Sequence, residues 1–374
     1  VTFPFRPNSE FFYLTGFQEP QAVAVISRST YTMFLRDKDP DREIWDGERL
    51  GLADAPETLK LEKALNINLL GDHLSQLITA ENVVYFDEKP CDLDRTLSNL
   101  LSSYTLKSLQ DPLHEMRLIK DEFEMSTMQR AANISMVAHV LAMQNVSPNM
   151  LEYELQSVFD AHFVKNNAVH AYTPIVAGGK NSCILHYIEN NKPLKDGDLV
   201  LIDAGCEFEN YASDITRTFP INGRFSPAQK QIYQIVLDAQ LAAIESIKPG
   251  ISVHKPHEIA SNIIRQGLES LGLLSPGEPL SNFYMHGTGH WLGMDVHDVG
   301  KYQHNQQHRK FEEGMVITVE PGIYIRKDDK INPIYHDIGI RIEDDVLVTN
   351  AGNTVLTEQL AKTIDEIETL MSED

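Results

Sequence analysis

Four carboxylates end or interrupt apolar β-rich runs in the carboxy-terminal part of this chain, where an ordinary core does not tolerate them. Leu199-Val200-Leu201-Ile202 ends on Asp203, and the returning run Asn210–Thr218 contains Asp214. Met315-Val316-Ile317-Thr318-Val319 ends on Glu320, and Ile340-Arg341-Ile342-Glu343 alternates, with Arg341 and Glu343 on one face and the isoleucines on the other. A hairpin turning near Phe208–Glu209 would set Asp203 directly across from Asp214, with Cβ atoms about 4.5–5.5 Å apart, where like charges destabilise the pair. A proton shared between the two relieves that repulsion, and so does a divalent cation. Taken singly, each acid reads as a solvent-facing or salt-bridged residue. Taken together they favour a metal site, because burying even one ionised carboxylate without a partner is costly and four need compensating cations.

Composition narrows the class. The chain has 374 residues, enough for two domains or one large one, and its 42% apolar and 23% charged residues are those of an ordinary globular protein. Acids outnumber bases 54 to 32, for a net charge of −22, with no Lys/Arg block, so neither nucleic acid nor an anionic membrane is expected as a partner. The longest apolar runs, such as Gln21–Ser27 and Met315–Val319, fall far short of the roughly 18 residues of a membrane span. No signal-peptide pattern appears over Val1–Phe12, and a chain that starts without an initiator Met is expected to be trimmed. Cys91, Cys183 and Cys206 are odd in number and widely spaced, which excludes a disulfide scaffold or Cys-rich zinc site and suits a reducing compartment. The sequons at Asn133 and Asn145 read as chance, one inside a helical pattern and the other followed by Pro148.

No repeat or low-complexity tract is present. The amino-terminal part alternates strand and helix signals: strands over Ala22–Ser27, Tyr31–Arg36 and Asn82–Phe86, helices over Glu57–Leu65 and Asp92–Leu101. That alternation predicts a small α/β domain over residues 1–111, ending where the pattern breaks at Gln110-Asp111-Pro112. An amphipathic helix over Lys120–Gln144 follows, with Phe123, Met128, Ala131, Ile134, Val137 and Leu141 at helical spacing. Ser226-Pro227-Ala228-Gln229 is a capping box opening a helix to about Ile247, and a helix over His257–Leu271 stops at Gly272. With strands over Asp198–Ile202, Tyr211–Phe219, Met315–Val319, Gly322–Ile325 and Gly339–Val348, residues 112–374 read as an α+β domain.

Five of the 14 histidines fall between His286 and His308. Alternate glycines in Met285–Gly293 argue against a helix, so His286 and His290 are not a helical pair of the HExxH kind. Taken alone, each histidine reads as structural sooner than as a ligand, although imidazole is the commonest metal ligand, and His304 and His308, among Gln and Lys, read as solvated. Ala177–Ser182 lacks the glycine spacing of a phosphate loop, and there is no GxSxG elbow. A thiol nucleophile at Cys206 has no local histidine to activate it.

These segments resemble the metal-dependent pita-bread peptidases, most closely the aminopeptidase P (Xaa-Pro aminopeptidase) family. The matching stretches are Ile184–Tyr187, Leu201–Gly205, Ser213–Thr218, His286–Gly300, Thr318–Tyr324 and Gly339–Asp345, with Pro4–Ser9 through Leu14–Phe17 resembling the family's amino-terminal domain. The resemblance implies a pita-bread (creatinase/aminopeptidase) catalytic domain behind a smaller α/β domain that serves assembly and the substrate entrance. It implies two divalent ions, manganese first and cobalt or zinc as substitutes, held by Asp203, Asp214, His290, Glu320 and Glu343, with Asp214 and Glu343 bridging. His186, His286 and His297 would line the site, Tyr324 and Arg341 would support it, and Trp45 of a neighbouring subunit would close it in a dimer or tetramer. The activity implied is removal of the first residue from peptides with proline second, by a hydroxide bridging the ions, with Glu320 carrying the proton. Prolidase, confined to Xaa-Pro dipeptides, is the nearest alternative, followed by methionine aminopeptidase, a metal-free creatinase-like enzyme and a non-catalytic interaction module. A bacterial cytoplasmic location is expected, or a mitochondrial one after removal of a transit peptide.

Overall fold

The computed structural model of the chain describes residues 4–79, 81–87 and 92–372; Cys91, and Val1–Phe3 of the stretch read for a leader, lie outside them. The backbone divides into two units, Val1–Glu115 and Met116–Asp374. Where the pattern breaks at Gln110-Asp111-Pro112 the chain is helical, over Gln110–Leu118, because Pro112 falls in the first turn, where a missing N–H is tolerated.

In the first unit Val23–Ile26 runs antiparallel to Tyr31–Leu35, which pairs in parallel with Lys63–Asn66. Alternation along the middle strand feeds two cores: Phe34 packs with Leu70, Leu74 and Leu101, and Met33 and Leu35 pack with Phe17, Ala55 and Leu61. A second parallel pair joins Val83–Tyr85 to Thr105–Lys107. The helix expected over Glu57–Leu65 is displaced. The helix covers Gly51–Leu59 and closes at Lys60, whose φ is 54°, and the remaining residues become the strand Lys63–Asn66. Parallel pairing with Tyr31–Leu35 outweighs the local helical spacing.

In the second unit a continuous core gathers the helices Glu122–Asn145, Glu152–Lys165, Pro227–Glu245 and Lys255–Ser270 against short antiparallel sheets. Reciprocal capping boxes open two of these helices, Asp121 with Glu124 and Ser226 with Gln229, as the second sequence motif predicts. The helix Glu122–Asn145 presents a different stripe from the one its apolar spacing predicts. Phe123 and Val137 are exposed, while Ser135 and His139 are buried beside Met128, Ala131 and Ala142. The buried polar side chains serve the neighbouring backbone: the Cys206 amide donates to Ser135 Oγ at 3.0 Å, and His139 Nε2 donates to the Ala204 carbonyl at 3.0 Å. Among the described residues no helix is long and apolar enough to cross a membrane.

Candidate metal centre

The strands Leu199–Asp203 and Thr216–Pro220 pair antiparallel with Asp203 opposite Thr216. That register continues to a tight turn at Glu209-Asn210, where φ is 49° and 65°, the backbone that suits a right-twisted hairpin. The turn therefore lies one residue beyond the expected one, and Asp203 is not directly opposite Asp214. The register sets Asp214 across from Gly205, where a Cβ would come within 1.9 Å of the Ser213 carbonyl oxygen, so only glycine allows this approach. The two carboxylates are diagonal neighbours, and the Tyr172 hydroxyl lies 2.6 Å from Oδ1 of each.

Two of the acids occupy interruptions in strands that read as continuous in the sequence: Asp214 lies between Tyr211–Ala212 and Thr216–Pro220, and Glu343 between Ile338–Arg341 and Asp344–Thr349. Glu320 lies between Val316–Val319 and Gly322–Ile325, two strands already separate in the sequence reading. Backbone bonds carry these breaks to one place. The Glu343 amide donates to the Thr216 carbonyl at 3.1 Å, the Asp214 amide to Asp345 Oδ2 at 3.1 Å, and the Glu320 amide to the Thr288 carbonyl at 2.8 Å. Gly289 lets the histidine loop join them, since a Cβ there would meet the Thr318 carbonyl oxygen at 1.9 Å. Against that strand the His290 amide donates to Thr318 Oγ1 at 3.0 Å.

The resulting cluster is short of positive charge. Arg341 is its buried guanidinium: Nη2 donates to Asp203 Oδ2 at 2.6 Å, Nη1 to the Tyr324 hydroxyl at 2.9 Å and Nε to Thr216 Oγ1 at 3.0 Å. Thr216 Oγ1 in turn donates to Glu343 Oε2 at 2.6 Å. Burial, then Asp214 and Glu320, push the Glu343 carboxyl far above the usual range, and burial pushes Glu320 up to about 7 despite His290 and Arg341. Asp203 and the neighbouring Asp345 are raised in the same direction, first by burial and then with Asp214 contributing. These acids are jointly ionised only if cations are added. Among the described residues Asp214, His290 and Glu343 each offer a ligand atom within 4.8 Å of the others. The donor set fits divalent cations.

His290 is oriented as a metal-ligating imidazole is. Its Nδ1 faces the Trp291 carbonyl at 3.0 Å, and its Nε2 points to Asp214 Oδ2 at 3.3 Å and Glu320 Oε1 at 3.7 Å. Burial disfavours the charged ring, but Asp214 and Glu320 outweigh it and raise the ring to about 9. His286 is different: burial, with Arg341 adding to it, lowers its ring to about 4. A neutral ring whose Nδ1–H goes to the Gly287 carbonyl at 2.7 Å accepts at Nε2 from the Tyr324 hydroxyl at 2.8 Å. His297 is exposed, its ring 4.1 Å from that of His290, and His186 is exposed. His304 and His308 are exposed as expected, although His308 stacks on His254 at 4.6 Å. Cys206 is fully buried and its thiol is pushed up to about 11 by that burial, so it is inert.

Asp203, Asp214, His290, Glu320, Glu343, Arg341, Tyr324 and His286 are thus brought together. Trp45 is on the helix Pro40–Asp46 of the first unit and is 83% exposed. Pattern reading missed Tyr172, Thr216 and Asp345. Thr216 and Asp345 lie inside the recognised motifs, two residues from Asp214 and Glu343, but Tyr172 stands in Ala171–Pro174 with no local signal.

Comparison with known proteins agrees with this geometry. Residues 126–350 match the model of metallopeptidase family M24, and residues 1–85 match the aminopeptidase P N-terminal domain. The chain is 45% identical to a Xaa-Pro aminopeptidase of Haemophilus influenzae, over 99% of this chain and 89% of that protein. It superposes on the Pseudomonas aeruginosa aminopeptidase PepP with a TM-score of 0.94 at 44% identity, covering 98% of this chain and 89% of the other. The Escherichia coli aminopeptidase P bound to the inhibitor Pro-Leu gives the same TM-score, 0.94, at 41% identity over 99% of this chain and 90% of that one.

Proposed function

The chain belongs to metallopeptidase family M24, and from that premise we propose that it is a metal-dependent aminopeptidase that hydrolyses the Xaa-Pro bond and releases the first residue of peptides with proline second. One observation carries the reading: Asp203 at a strand end, three carboxylates between strands and His290 converge around the buried guanidinium of Arg341. Mostly oxygen donors with one imidazole suit two manganese ions, with cobalt or zinc able to substitute. Asp214 and Glu343 would bridge the ions, Asp203 holding one and His290 the other, with Glu320 completing the set. When bound, such ions supply Lewis acidity and a water made nucleophilic near neutral pH.

The chain's own side chains account for the remaining steps. Arg341 and Tyr324 hold Asp203 and His286 in place. With both nitrogens of His286 engaged, the exposed His297 is the better donor to the oxyanion that develops on the scissile carbonyl. Glu320 takes the proton and passes it to the leaving nitrogen, which in an Xaa-Pro bond is a tertiary amide with no hydrogen of its own. His186 lines the substrate side.

Residues 112–374 are the catalytic part, and residues 1–111 serve assembly and the substrate entrance. The exposed apolar pair Ile44 and Trp45, 80% and 83% exposed, supports an assembly role. In a homo-oligomer, dimer or tetramer, Trp45 would close a neighbour's site. Buried unpaired thiols at Cys183 and Cys206 support a reducing, cytoplasmic compartment.

A peptide panel tests the reading. Purified protein, stripped with a chelator and restored with manganese, should release the first residue from an Xaa-Pro-Yaa tripeptide. Prolidase, the reading that the named relatives disfavour, would leave the tripeptide intact and cleave only Xaa-Pro. No turnover of any Xaa-Pro peptide with metal present would overturn the assignment.

A further inference from the structure

The segment that carries His290 and His297 is held at its two ends in different ways. Strands hold the near end. The Thr318 amide donates to the His290 carbonyl at 2.9 Å, the Leu292 amide to the Val316 carbonyl at 3.1 Å, and the Ala212 amide to the Gly293 carbonyl at 2.8 Å. His290 is thereby tied to the strand before Glu320 and to the hairpin that bears Asp214.

Charge holds the far end. Asp298, the residue after His297, has a side chain only 1% exposed and meets two cations that are equally buried. Arg117 Nη2 donates to its Oδ1 at 2.5 Å and to Asp295 Oδ2 at 2.8 Å, and Lys120 Nζ donates to Asp298 Oδ2 at 3.1 Å. Lys120 is itself fixed by its amide, which donates to the Gly314 carbonyl at 2.8 Å. Gly293 leaves room for the cluster, since a Cβ there would come within 2.1 Å of Asp298 Oδ2 and 3.0 Å of Lys120 Cε. The Asp298 amide then closes the segment by donating to the Trp291 carbonyl at 2.9 Å, the carbonyl that also faces His290 Nδ1 at 3.0 Å. Between these two anchors the exposed His297 ring is set 4.1 Å from the ring of His290.

A buried ion cluster adds little stability over apolar side chains of the same volume, but its charge-assisted bonds are directional and fix the backbone that carries them. We propose that Arg117 and Lys120 are positioning residues, acting through Asp298 to hold His297 beside His290, where it can donate to the oxyanion. This rests on the part given to His297 in the Xaa-Pro reading above.

The test is a double-mutant cycle on the full chain with manganese and an Xaa-Pro-Yaa tripeptide. Lys120→Met leaves Arg117 to neutralise Asp298, and it should lower kcat about tenfold with KM nearly unchanged, because the oxyanion forms only in the transition state. In a His297→Ala background the same substitution should lower kcat by less than about twofold, since the group it positions is gone. Manganese affinity, read by calorimetric titration of the chelated protein, should stay within about twofold of the wild type, because strands hold His290. Asp298→Asn, the same shape without the charge, runs through the same cycle and covers a Lys120→Met that fails to fold. Equal losses in the two backgrounds, a raised KM at wild-type kcat, or a His297→Ala variant with wild-type kcat would overturn the proposal. So would manganese affinity lowered about tenfold or more, which would place the effect on His290. A wild type that leaves every Xaa-Pro peptide intact removes the Xaa-Pro reading instead.

Discussion

Arg341 meets Asp203 through Nη2 and Oδ2 at 2.6 Å, with both side chains largely withdrawn from solvent. The same guanidinium holds Tyr324 with Nη1 and Thr216 with Nε, so one planar fork fixes three groups at the metal centre. Replacing Arg341 with Met removes its charge from a nest of carboxylates. Breaking a buried pair in this way costs about 3–5 kcal/mol, and Arg341→Lys should recover little because an ammonium lacks the fork. We expect a lower melting temperature for the chelated variant, partly restored by manganese, and kcat/KM reduced by about 100-fold or more with metal present. Wild-type melting of the chelated Met variant would refute the role given to Arg341.

The cluster also sets how the metal-free protein responds to pH. Burial and the neighbouring acids raise Glu320 from 4.5 to about 7 and hold Glu343 well above its ordinary value. A carboxyl whose folded value is raised binds its proton more tightly folded than unfolded. Its stabilisation is complete below the unfolded value and is lost as pH rises through the folded one. The chelated protein should therefore lose melting temperature between about pH 4.5 and pH 7. Manganese should remove most of that fall. Equal pH profiles with and without metal would mean that the carboxylates are neutralised by something other than cations.

Much of this centre is legible in the sequence, and the part that is not has a physical reason. The acids stand out because each breaks an apolar run, and Ser226–Gln229 announces a helix start through a local bond. Strand interruption is not local. Asp214 and Glu343 leave their strands because their neighbours bond across to other segments, as when the Glu343 amide reaches Thr216. The one-residue shift of the hairpin turn follows from two residues at positive φ, Glu209 and Asn210, of which only the asparagine is a familiar occupant. Ser135 and His139 look outward in a helical pattern and are buried because they satisfy backbone groups more than sixty positions away. Tyr172 carries no pattern at all; only the folded chain places its hydroxyl between two carboxylates.

Trp45 offers a test of assembly. It is 83% exposed beside Ile44 at 80%, so Trp45→Ala should leave folding of its own unit unaltered, surface substitutions typically falling within about 0.5 kcal/mol. If a neighbour's tryptophan guards the entrance, the variant should alter the length preference across a series of Xaa-Pro peptides more than it alters tripeptide turnover. An unchanged substrate profile would count against an entrance role for this residue.

Glu152 predicts a measurable link between a buried anion and the position of His186. Its two carboxylate oxygens accept from four donors, none of them a basic side chain, so its job is to gather Gly178–Lys192 rather than to balance a charge. Glu152→Gln keeps the shape but turns one oxygen into an NH2 group that faces two donors. An unmatched buried donor costs about 1–3 kcal/mol, so urea unfolding should show a loss of roughly 2–4 kcal/mol. Tyr187→Phe withdraws a single donor and should cost about 1 kcal/mol. Hydrogen exchange gives the decisive readout, because the Gly178 and Lys192 amides donate to Glu152 directly. In Glu152→Gln both should exchange faster at pH values where the core strand Leu199–Asp203 keeps its protection, and kcat/KM should fall with them as His186 loses its fixed position. Amides at Gly178 and Lys192 that exchange as slowly as in the wild type would show that this carboxylate does not organise the segment.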